Sequence, residues 1–191
     1  LFAETAEQES TRRTLAAGIL RDANIPLASP ATLVLMGEEA ERLGRADFAR
    51  RVYEHFLRVY ADSDFAARAL RWSVEQKLAA GHADEAEVVL RDLANRFATG
   101  SDGGWAQKRL ADLRRARKDY AGAIEAYNAI LAVKAWRGEL WAEALYDIGT
   151  CHQAQNDYNQ AFPFFQRVYV MYQAFDVWAA RAYLQSAICL E

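Results

Sequence analysis

The side chains in this sequence that could do chemistry are three histidines, two cysteines, one glycine-rich stretch and several groups of carboxylates. His55, His82 and His152 are widely separated, and neither a His-x-x-x-His nor a Cys-x-x-Cys pair exists to preorganise a metal. Gly100-Ser101-Asp102-Gly103-Gly104 lacks the Gly-Lys-Ser/Thr that would meet a phosphate at a helix start, so it reads as a flexible loop. The carboxylates Glu38, Glu39, Glu41, Asp84, Glu85, Glu87, Asp119 and Glu125 fall where turns and outward helix faces are expected. Asp84 and Asp119 stand near helix starts, where negative charge suits the dipole. No nucleophile with a neighbouring base and no paired acid and base stand out, so the chain reads as a non-enzyme with no cofactor and no metal.

Composition narrows the partners. With 52% hydrophobic and 26% charged residues, the 191-residue chain has the material for a real core. A formal charge of −3 supplies no attraction to nucleic acid. No run of about 18 apolar residues is present, so membrane insertion is not expected. The chain starts at Leu1 rather than Met, which reads as a trimmed or processed fragment and leaves the compartment open.

The elements that must carry these side chains show a period. An alanine followed four residues later by a bulky residue occurs as Ala49 with Tyr53, Ala86 with Leu90, Ala123 with Tyr127 and Ala161 with Phe165. Successive alanines lie 37, 37 and 38 residues apart, and the turn residues before them, Gly44, Gly81, Lys118 and Asn156, keep the same steps. Upstream of each turn, Met36-Gly37, Leu110-Ala111, Ile148-Gly149 and Ser186-Ala187 place a small residue where two helices would cross, while Ser73-Val74 departs. Asp157 followed by Gln160 has capping-box spacing, so a helix begins there. Gly149 and Ala161 allow close backbone approach, with Phe165 supplying bulk.

The Ile148-Gly149 pair and the Ala161 to Phe165 spacing resemble the tetratricopeptide repeat. The resemblance implies an all-α, right-handed α-solenoid of helix-turn-helix repeats. It is read here as one domain over 1–191, with an N-terminal helix at 1–24 and repeats at 31–64, 65–100, 104–138 and 140–174. The first helix of an incomplete repeat follows at 176–191. The junction from Tyr60 to Leu70 is similar to that of bacterial cell-envelope members, which tilts the expected compartment towards the periplasm.

What the resemblance implies is a scaffold that binds a protein or peptide in a groove lined by the first helices. The groove residues would be Arg68, Arg71, Trp72 and Glu75, then Lys108, Arg109, Asp112 and Arg115, and then Tyr146 and Gln153. Two readings of these charges stay open: cations that hold acidic groups of an extended peptide, or charges that pair with one another across neighbouring helices. Glu38, Glu75 and Asp112 stand where family members that bind chaperone tails carry a carboxylate clamp, which argues against such a clamp.

Cys151 and Cys189 would take equivalent places on successive units, whose axes lie about 8–10 Å apart. That is too far for a disulfide, which needs Cα atoms within about 7 Å. Two free, mostly buried thiols are expected. His152 stands where the family places a packing aromatic, so it is expected in the core or at the groove edge. Phe162, Phe164, Phe165, Tyr169, Met171 and Tyr172 make one helix apolar on nearly every side. It is expected to lie under further repeats, against a partner, or in end-to-end self-association through the C-terminal aromatic helices. Pro163 within that helix is expected to remove a backbone bond and kink it.

Overall fold

The computed structural model describes residues 25–190. The expected helix at 1–24 lies outside the described residues. Those residues form nine α-helices and no strand. They are α1 (Pro30–Arg42), α2 (Ala46–Val59), α3 (Ala66–Ala79), α4 (Ala83–Arg96), α5 (Ser101–Ala116), α6 (Tyr120–Ala132), α7 (Glu139–Ala154), α8 (Tyr158–Met171) and α9 (Asp176–Ile188). Short 3-10 turns occupy Ile25–Leu27 and Lys134–Trp136. The architecture is that of an all-α helical-repeat solenoid, with helix pairs at the positions the period predicts.

The turn within each pair is the same device used four times. Gly44, Gly81, Lys118 and Asn156 have φ of 69°, 79°, 63° and 61°. The following residue donates its N–H five positions back in every case: Arg45 to Ala40 O, His82 to Lys77 O, Asp119 to Arg114 O and Asp157 to His152 O. This left-handed termination satisfies carbonyls that the ending helix leaves open. The next helix starts on a side-chain cap in two of the pairs. Asp119 accepts from the N–H of Gly122 at 3.0 Å, and Asp157 from that of Gln160 at 3.1 Å.

The chain divides into two compact units, one ending at Gln76 and one beginning at Lys77. In the first, α1 packs on α2. The backbone of Gly37 lies so close to the Tyr53 ring that a methyl group there would overlap it. Tyr53 also meets the Trp72 ring of α3, with centroids 5.4 Å apart, and Leu33, Val52, Phe56 and Val74 are fully buried.

In the second unit, consecutive helices from α4 to α9 pack on one another, and α7 additionally touches both α5 and α9. One cluster joins Ala111, Ala123, Tyr127, Ile130, Ala144, Ile148 and Cys151. Another joins Ala142, Leu145, Ala161, Phe165, Val168, Tyr172 and Ala182. Gly149 supports the close crossing expected of it, since a Cβ there would stand 2.6 Å from the Phe165 ring.

One expectation is corrected here. The stretch from Gly100 to Gly104 is not a flexible loop: Gly100 is the N-cap of α5, and residues 101–104 form its first turn. Gly103 and Gly104 are buried because neighbours occupy the space of a side chain. The Phe97 carbonyl fills it at Gly103; at Gly104, Leu140 Cδ2 and the Trp136 ring would stand 2.8 and 3.1 Å from a Cβ. Trp136 Nε1 donates to Gly100 O at 3.0 Å and pins the turn. α8 runs unbroken through Pro163, whose missing N–H withdraws the intrahelical bond to the Asn159 carbonyl. Its aromatic excess is largely absorbed within the chain, because Phe165 and Tyr172 are buried and Phe164 and Tyr169 pack against the clusters.

Candidate partner-binding face

The first helices α5 and α7 bring together a compact group of charges. Lys108 is 5% exposed, yet its ammonium has three carboxylates around it: Asp112 at 2.7 Å, Asp147 at 2.7 Å and Glu143 at 3.1 Å. Asp112 lies one turn further along α5, and Glu143 and Asp147 lie one turn apart on α7. Tyr127 reaches in from α6 and donates its hydroxyl to Asp112 at 2.7 Å. Arg115 completes the group with longer approaches, 3.5 Å to Asp147 and 3.9 Å to Asp112. Arg109 lies 3.9 Å from Asp112 and over the Trp105 ring at 5.4 Å. Lys108, Arg109 and Arg115 thus face Asp112, Glu143 and Asp147, and the face is locally balanced.

Burial sets the protonation states. Burial by itself disfavours charge on Lys108, but Asp147, Asp112 and Glu143 outweigh it and raise the ammonium above the ordinary lysine range. Tyr127 is held well above the usual phenol range, first by burial and then by Asp147 and Asp112. The cluster is a permanent cation caged by carboxylates, with a phenol that stays neutral.

The first unit carries a smaller version. Tyr53 donates to Glu41 at 3.0 Å, and Arg68 of α3 pairs closely with the same carboxylate. Glu38 stands 3.7 Å from Arg68. Tyr53 and Tyr127 are 74 residues apart, two repeat steps, so each phenol anchors a carboxylate of the preceding first helix.

The ten expected groove residues therefore divide. Lys108 and Trp72 are interior, the first because three carboxylates enclose it and the second because it lies under Tyr53. Arg68 is engaged by Glu41. Arg71 is half-buried and Glu75 exposed. Arg109, Asp112, Arg115, Tyr146 and Gln153 are partly exposed on α5 and α7, with Tyr146 held between the rings of Phe165 and Trp178 at 5.5 and 5.6 Å. A cleft of about 260 Å³ opens beside Arg115, lined by Asp112, Ala116, Tyr120, Thr150 and Ala154.

Tyr127 had been read only as a bulky packing residue, and its hydroxyl is the part the spacing did not reveal. Asp147 and Glu143 were legible as first-helix charges. The Lys108 to Asp112 interval of four residues was the signal that could have joined them. Cys151 is free and buried, Cys189 free and half-buried. His152 stacks on Phe164, with centroids 5.5 Å apart and planes at 17°, which places it in aromatic packing. Among the described residues no helix is long and apolar enough to cross a membrane.

No curated protein matches the chain. The helix pairs α5/α6 and α7/α8, with small residues at their crossings and the charge cluster on their first helices, lie within residues 104–174, which match the family model of the tetratricopeptide repeat.

Proposed function

We propose that the chain is a non-catalytic scaffold that binds a peptide or protein partner on the face formed by α5 and α7. Tetratricopeptide repeats generally mediate protein–protein interaction and are typically scaffolds rather than catalysts, which supports the class of function. The observation that carries the choice of face is the contrast between its cations. Lys108 is sealed and fully paired, whereas Arg109 and Arg115 lie above it with side chains 43% and 38% exposed and only long ion-pair distances. Their guanidinium groups retain donors for a partner's carboxylates or carbonyls. Tyr146, Gln153 and the cleft at Thr150 supply apolar and neutral polar contacts beside them. The sealed Lys108 cluster is the platform that fixes α5 against α7, so the exposed arginines keep their spacing.

The test is selection from a displayed peptide library, with the enriched sequences measured by fluorescence anisotropy against the parent and an Arg109→Glu/Arg115→Gln variant. Circular dichroism would confirm equal helicity. Binding by the parent that drops at least about tenfold in the variant, and weakens with salt, supports the reading. Equal binding by both forms, or no enrichment, overturns it. Lys108→Glu is unsuitable for this purpose, because it would bury a fourth carboxylate among three.

A further inference from the structure

The helix α9 shows a second, differently built surface. Ala182 and Ser186 are buried against the rest of the unit, and Trp178, Ala179 and Gln185 are half-buried on the same side. Facing outward are Asp176, Val177, Ala180, Arg181, Tyr183, Leu184, Ala187 and Ile188. Val177, Tyr183 and Leu184 are 60%, 67% and 61% exposed, far beyond scattered surface hydrophobes.

Val177, Ala180, Leu184 and Ala187 follow one another at intervals of three, four and three residues, the spacing of a coiled-coil seam. Asp176, Arg181, Tyr183 and Ile188 stand on the two flanks of that seam. The inward residues are the ones a coiled coil does not use. A helix that had only to be wet on this side would carry polar residues there.

We propose that this face pairs with the same face of a second copy of the chain, the two α9 helices lying parallel about a two-fold axis. The flanking charges select the partner and the direction. In a parallel pair, a residue on one flank meets the residue five positions later on the opposite flank of its neighbour. Asp176 then meets Arg181 of the second copy, and Tyr183 meets its Ile188, each twice by symmetry. Along the seam, Leu184 and Val177 meet their own copies, and Ala180 and Ala187 let the axes come close. An antiparallel pair would instead set Arg181 against Arg181. The pairing is separate from the α5/α7 face and stands or falls without it.

Sedimentation velocity across a concentration series tests the pairing on the full chain. The parent is expected to show a monomer–dimer equilibrium. Leu184→Glu, or Val177→Glu as a second variant, should weaken it by at least about tenfold. Asp176→Arg and Arg181→Asp should each weaken it several-fold, and the double variant, which exchanges the two charges, should restore it. Circular dichroism would check that helicity is retained. A parent that stays monomeric, a dimer that survives both glutamate variants, or a charge exchange that fails to restore association would each overturn the proposal.

Discussion

Lys108 shows how far a single side chain can depart from what its type suggests. On a first helix, with basic neighbours, it read as a groove cation; in the fold it is the centre of a cage of three carboxylates. Position along the helix was legible from the period. Depth was not, because depth depends on where Glu143 and Asp147 of the next repeat come to lie. Taking the lysine charge away leaves Asp147, itself 4% exposed, with only the longer Arg115 contact. Lys108→Met is therefore expected to destabilise the protein by about 3–5 kcal/mol in urea unfolding. Adding Asp147→Leu should recover a substantial part, since the stranded carboxylate then goes too. If Lys108→Met cost no more than an average surface change, the cage would be dispensable.

At the scale of elements, the repeat was most legible where backbone geometry leaves least choice. Gly44 and Gly81 mark a left-handed turn directly, while Lys118 and Asn156 were identified only because they fall at the same step of the period. The converse held for Gly103 and Gly104. Adjacent glycines look like a loop, and only the Phe97 carbonyl, Leu140 and Trp136 beside them explain why a helix needs them. Lys118 supports a positive φ at a cost glycine avoids, and its side chain is exposed. Lys118→Gly is expected to stabilise by about 0.5–1 kcal/mol, read as a higher midpoint in urea. A lower midpoint would mean that the lysine side chain contributes more than its backbone strain costs.

For the whole molecule, composition spoke chiefly through what it excluded, and the burial of titratable groups adds a prediction that composition does not contain. Tyr53 in the first unit is held above the phenol range by burial and by Glu41. In the second unit, Tyr127 and Lys108 are also raised, and burial pushes the Cys151 thiol from 9.0 up to about 11. Each of these groups keeps its proton to a higher pH when folded than when unfolded. Stability from them is therefore intact below the unfolded values, and it declines as pH rises above about 9, when the unfolded thiol begins to titrate first. Urea unfolding from pH 7 to 11 should show a falling midpoint, and Tyr127→Phe should make the fall shallower. A midpoint that held level across this range would contradict the burial of these groups.

The sealed cation also determines which parts of the molecule feel the ionic atmosphere. Counterions screen charges they can reach, over a Debye length of about 8 Å at physiological strength. They reach the exposed pairs, such as Arg50 with Asp47 and Arg117 with Asp84, but the Lys108 ammonium lies 6% exposed behind its carboxylates. Brine accordingly works on the perimeter and spares the joint between α5 and α7. A ligand held by Arg109 and Arg115 is then one that salt elutes while the surface beneath it keeps its shape.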